Sequence, residues 1–108
     1  MNKIDRINNV LGLDLVTTCN NLGCTVHEVQ QYVGVKYRGK SVLSIRVSKF
    51  NQLLLDVRDD KLTKNEKLYF NAHLMPRCNW TLNCRTVTTK TTTLIELLII
   101  VLAKEILN

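Results

Sequence analysis

Apolar positions recur along this chain with two different periods, and the change of period marks its parts. Residues 3–11 carry Ile4, Ile7, Val10 and Leu11 at helical spacing, which predicts a short amphipathic helix. Residues 29–47, VQQYVGVKYRGKSVLSIRV, alternate instead and predict a β-hairpin. A three-residue loop of Tyr37, Arg38 and Gly39 puts glycine where a left-handed backbone is needed. Lys36 then pairs with Lys40, Val35 with Ser41, Gly34 with Val42 and Val33 with Leu43. One face collects Val29, Val33, Val35, Leu43, Ile45 and Val47. The other holds Gln30, Tyr32, Lys36, Lys40, Val42, Ser44 and Arg46, with Arg38 at the tip. A two-residue Arg38–Gly39 turn shifts the register by one and mixes the faces, so the segregation favours the longer loop.

The same region has a competing reading as a helix-turn-helix over about residues 25–50. Thr25 and Glu28 fit a capping box, and TVHEVQQYVGV fits a first helix with its turn glycine. KYRGKSVLSIRV, however, is β-branched and alternating where a recognition helix belongs.

Further along, Ser48 is placed to cap a helix carrying Phe50, Leu53, Leu54 and Val57 on one stripe. Thr63 and Glu66 repeat the capping-box signature before KLYFNAHLM, which Pro76 ends from outside. Leu68, Phe70, Ala72 and Leu74 also alternate as a strand would. NWTLNCRTVTTK is rich in β-formers and predicts a strand over about 80–88 that joins the hairpin. A C-terminal helix from about Thr93 to Leu107 follows, with Leu94, Ile95, Leu98, Ile99, Leu102 and Ile106 on its stripe. Ile100 and Leu107 lie off that stripe, which fits either a helix sandwiched in the core or an oligomer seam made by those two residues, as in a homodimer. The fold class that results is α+β. A small antiparallel sheet, hairpin 29–47 plus strand 80–88, packs against amphipathic helices including the C-terminal one. Residues 1–108 form a single domain with no repeat or linker.

Charge sharpens the functional picture. Fifteen Lys and Arg against nine Asp and Glu give +6, and the excess is segregated along the chain. Lys36, Arg38, Lys40, Arg46 and Lys49 follow one another with no acid between Val29 and Leu55, whereas Asp56, Asp59, Asp60 and Glu66 crowd the next stretch. The N-terminal MNKIDRINNVLGLDL lacks the apolar core of a signal peptide, and the apolar run 97–103 is far short of the roughly 20 residues a span needs. A cytoplasmic protein with no membrane association is expected. Cys19, Cys24, Cys78 and Cys84 are spaced more loosely than zinc-ribbon ligands, and free, bridged and zinc-bound states all remain open. No metal or cofactor is assigned.

No phosphate loop, nucleophile elbow or paired-histidine motif accompanies His27, Glu28 and Cys24, so no catalytic residue is named and no enzyme is expected. A binding protein fits better. Tyr32, Lys36, Arg38, Lys40, Arg46 and Lys49 form the candidate contact set, and clustered cations suit an acidic protein surface, a nucleoprotein or nucleic acid itself. Four duplex-phosphate contacts correspond to a log–log salt slope of about −3.6. The run Ile45, Arg46, Val47, Ser48, Lys49, Phe50, Asn51 reads as a basic strand end passing through Ser-Lys into an amphipathic helix. It is similar to a segment of small phage-encoded inhibitors of type II-A CRISPR nucleases, the anti-CRISPR proteins. That resemblance implies a stoichiometric inhibitor of a guide-RNA-loaded host defence nucleoprotein, acting in the bacterial host cytoplasm, with Arg46 and Lys49 as the matched positions. The alternatives are a small DNA- or RNA-binding regulator, and an assembly protein that uses its C-terminal helix.

Overall fold

The computed structural model describes residues 2–70 and 83–107. Asn2 is an N-cap, its side chain accepting from the Asp5 N–H at 2.8 Å, and α1 runs Lys3–Leu11. Gly12, at φ 69°, ends it in the left-handed conformation that suits glycine. Asp14 caps α2, Leu15–Asn21, through the Thr17 N–H. Five strands follow: β1 Thr25–Glu28, β2 Val33–Tyr37, β3 Lys40–Val47, β4 Leu53–Arg58 and β5 Asn83–Thr88. A 3-10 turn at Asp59–Lys61 and α3, Lys64–Tyr69, come between β4 and β5, and α4 spans Thr91–Leu107. The architecture is α+β: among the described residues, the strands form one antiparallel sheet in the order β1-β2-β3-β4-β5.

One face of that sheet is greasy. Val33, Val35, Leu43, Ile45, Leu53, Leu55, Val57 and Cys84 are buried together with Ile7 and Leu11 of α1, Leu15 and Cys19 of α2, and Leu94, Leu97, Leu98, Val101 and Leu102 of α4. Period-two alternation on the strands meets helical stripes across a single layer, so each element covers apolar area that it would expose alone. β4 is buried at Leu55, Asp56 and Val57, consecutive residues that alternate between its two faces.

The hairpin is present, but its turn differs from the expectation. Tyr37 pairs with Lys40 across a two-residue turn in which Arg38 (φ 50°) and Gly39 (φ 80°) are both left-handed. That is the geometry whose twist matches a hairpin. A one-residue irregularity between Val35 and Lys36 then restores the segregated faces: Lys36 pairs with Ser41, but Val35 pairs with Leu43 and Val33 with Ile45. Val42 is the extra residue. The bulge thus undoes the mixing that a short turn alone would impose. Val29 is not in the hairpin; its N–H donates to the Tyr32 carbonyl at 2.8 Å, closing a tight turn between β1 and β2.

Other expectations are corrected. Residues 25–50 contain no helix, so the helix-turn-helix reading fails on its structural premise. Ser48 caps a turn and not a helix, its hydroxyl accepting from the N–H groups of Phe50 and Gln52, each at 3.2 Å. Leu53, Leu54 and Val57 lie on β4, and Phe50 is exposed. The segment Ile45–Asn51 therefore leads into a turn and a strand, without the amphipathic helix read into it. The Thr63–Glu66 capping box is formed in both directions. The end of KLYFNAHLM, with Leu74 and Pro76, the start of the 80–88 strand, and Cys78 lie outside the described residues.

The stripe on α4 is rotated from the expected one. Leu94, Leu97, Leu98, Val101 and Leu102 face the core, while Ile99 and Ile106 are exposed. Of the two seam candidates, Ile100 packs against the core and Leu107 is 84% exposed, so they do not form one exposed stripe. No helix among the described residues is long and apolar enough to cross a membrane.

Candidate functional site

The five strand and loop cations do not form one ribbon. Lys36, Arg38 and Lys40 sit at the turn end of the β2–β3 hairpin, whereas Arg46 and Lys49 lie at the far end of β3. Lys40 and Arg46 are six residues apart on one strand, about 20 Å at strand rise. At the turn end Lys40 also meets an acid of its own molecule, Glu105, at 3.8 Å. Lys40 is 77% exposed, so that pair contributes little, yet it dilutes the positive field there. Glu105 is shared with Lys61 at 2.5 Å. Arg38 folds over the Tyr37 ring, 5.2 Å from its centroid.

The other end is built differently. Because the turn at Val29–Tyr32 starts β2 only at Val33, opposite Ile45, the last two residues of β3, Arg46 and Val47, overhang their neighbour and pair with β4 alone. α1 lies across β3. Between the helix, the Val29–Tyr32 turn and the overhang is a cleft of about 300 Å³. Lys3 and Arg6, spaced to share one helical face, form one wall. Gln31 and Tyr32 form the second, and Arg46 and Ser48 the third. Ile7, Ile45 and Leu54 are among its apolar lining.

Among the described residues, no carboxylate lines this cleft and no ion pair to Lys3, Arg6 or Arg46 occurs. Arg46 stands beside Leu54 across the strands, and its Nε is buried with no hydrogen-bond acceptor. Glu28, at the end of β1, is engaged with the helix: its carboxylate accepts from the Ile4 N–H at 3.3 Å. A second hollow of about 390 Å³ continues along α1 past Asn9 and Val10, sharing Arg6 and Val47 with the first.

Of the candidate residues, the fold thus brings Tyr32 and Arg46 into one cleft and puts Lys49 in the turn just past Ser48. It separates Lys36, Arg38 and Lys40 from them. Lys3 and Arg6 were missed by sequence reasoning. Their only signal was a basic pair at i, i+3 on the polar face of α1, indistinguishable in sequence from an ordinary solvated face.

The thiols near His27 and Glu28 are shielded by burial. Burial holds the Cys24 thiol above its ordinary range, and burial with neighbouring Cys24 pushes Cys19 up to about 12, so both thiols resist ionisation. His27 lies over Gly34 on the opposite sheet face from the core, in a row that continues through Ser44 to Asp56 and Arg85. Cys19 and Cys24 are buried free thiols, and no cluster of potential metal ligands occurs among the described residues. No protein-family model matches the chain, and neither a curated protein nor a solved structure is similar to it.

Proposed function

We propose that this is a binding protein, without a chemical step of its own, that grips the phosphates of nucleic acid, free or held in a nucleoprotein, through the α1–β3 cleft. The observation that carries the reading is that Lys3, Arg6 and Arg46 all line one concavity, with no carboxylate among the described residues that line it. Three such cations, by neutralising phosphates, displace the counterions condensed on the nucleic acid, which supplies affinity without reading sequence. The nuclease-inhibitor role implied by the resemblance at Ile45–Asn51 is the narrower form of this reading: Arg46 is in the cleft, and Lys49 follows directly on Ser48 at its wall.

Two sets of charge reversals test the proposal against a short oligonucleotide at low salt. Arg6→Glu with Arg46→Glu should weaken binding by about tenfold or more, while Lys36→Glu with Arg38→Glu and Lys40→Glu should have the smaller effect. The opposite order would move the site to the hairpin turn. If neither set matters, the phosphate-binding reading fails. A tagged copy that retains a nucleoprotein from its host in a manner sensitive to Arg46→Glu would favour the inhibitor form.

A further inference from the structure

We infer that the cleft receives a single unpaired nucleotide, so that the partner strand is single-stranded where the protein holds it; this rests on the proposed phosphate-binding function and narrows it. Shape is the first argument. The site is a hollow of about 300 Å³, at the small end of the range for ligand pockets, and not a flat or ridged basic surface. A duplex meets proteins with its sugar–phosphate ridges outward and its bases stacked inside, so it would touch only the rim.

The second argument is the composition of the walls. The cations stand on α1 and β3, while Tyr32, an aromatic residue of the Val29–Tyr32 turn, lines the same cleft, with Ile7 and Leu54 among its apolar lining. One nucleotide has the same division: an anionic phosphate at one end and a flat, largely apolar base at the other. Base stacking on an aromatic side chain needs an unpaired base, and it tolerates any sequence. Gln31 and Ser48 add polar groups able to bond the sugar or base edge.

Continuity is the third. Arg6 and Val47 line both this cleft and the second hollow along α1, which ends near Asn51 and Thr89. A strand leaving the first hollow has a path for its next unit, with Arg6 at the junction where the intervening phosphate would pass. A lone phosphate ion would need neither the second hollow nor Tyr32.

The test compares a fluorescently labelled, mixed-sequence single-stranded DNA with its own duplex by anisotropy at one low salt concentration, using wild type, Tyr32→Ala and Tyr32→Phe. The expected result is a preference for the single strand of about tenfold or more, largely lost in Tyr32→Ala and kept in Tyr32→Phe, which retains the ring. Circular dichroism of each variant separates loss of the ring from loss of the fold. Equal binding of both DNAs, or a single-strand preference that survives Tyr32→Ala in a folded protein, would overturn the inference and leave the phosphate-binding function standing. Binding of neither DNA would overturn that function as well.

Discussion

Replacing Asp56 tests the joint between β4 and β5, on which the position of β3 and its overhang depends. Asp56 and Arg85 face each other in the sheet register, and the Arg85 Nε donates to the Asp56 carboxylate at 3.0 Å. Their side chains are only 6% and 15% exposed. Breaking a buried ion pair by removing one partner typically costs about 3–5 kcal/mol, because the surviving charge is left without its counter-ion. Arg85 retains some access to water, so Asp56→Asn belongs at the lower end, about 3 kcal/mol. That is a large part of the roughly 5–15 kcal/mol a domain has in total. In melting temperature it corresponds to a drop of about 10–20 °C. Urea unfolding followed by circular dichroism gives the free energy directly, and the Asp56→Ala, Arg85→Ala cycle isolates the pair, with an expected coupling of about 2 kcal/mol. A loss below about 0.5 kcal/mol, the range of ordinary surface substitutions, with no coupling in the cycle, would refute the reasoning.

Three further outcomes follow from the same geometry. A Cβ at Gly34 would come within 2.4 Å of the His27 ring, so Gly34→Ala should destabilise by about 1–2 kcal/mol and recover in the His27→Ala background; no recovery would put the clash elsewhere. Glu66 and Glu105 are held below the ordinary carboxyl value of 4.5, chiefly by hydrogen bonds from Lys104 and Lys61 respectively. Depressed folded values add stability that is complete above the unfolded value and lost as pH falls through the folded one, so unfolding free energy should decline below about pH 4.5, and Lys61→Met with Lys104→Met should flatten that decline. Cys19, pushed from 9.0 up to about 12, carries about a thousandfold less thiolate than an ordinary cysteine near neutrality. It should resist iodoacetamide until the protein unfolds, and stability should fall as pH rises above 9.0, where only the unfolded thiol ionises; rapid labelling of the folded protein would contradict its burial.

What was legible in the sequence was what short-range chemistry decides. Ile4, Ile7 and Leu11 marked α1 because one helical period holds their spacing, and Thr63 with Glu66 announced a cap that involves only neighbouring residues. The two faces of β2 and β3 were also readable, although the bulge at Val42 that permits them was not, since a bulge and a longer loop leave the same alternation. β4 was mistaken for a helix because Leu53, Leu54, Leu55 and Val57 satisfy both periods, and a strand buried on two sides loses the polar alternation that identifies it. α2 and β1 are short, and LVTTCNN and TVHE carry too few apolar positions to show a period; burial of Leu15, Cys19 and Cys24 holds them in place. The cleft was half visible. Tyr32 and Arg46 stand on the segment whose charge stood out, but Lys3 and Arg6 join them only through packing of α1 on β3, a contact between residues some forty positions apart in the chain.

The central claim is that Lys3, Arg6 and Arg46 meet phosphates, and the salt dependence of oligonucleotide binding measures it most directly. Three contacts to a single strand predict a log–log slope of about −2, which should shrink to about −0.7 in an Arg6→Gln, Arg46→Gln variant and stay near the wild-type value when Lys36, Arg38 and Lys40 are neutralised instead. A slope that ignores Arg6 and Arg46, or that follows the hairpin-turn cations, would contradict the account.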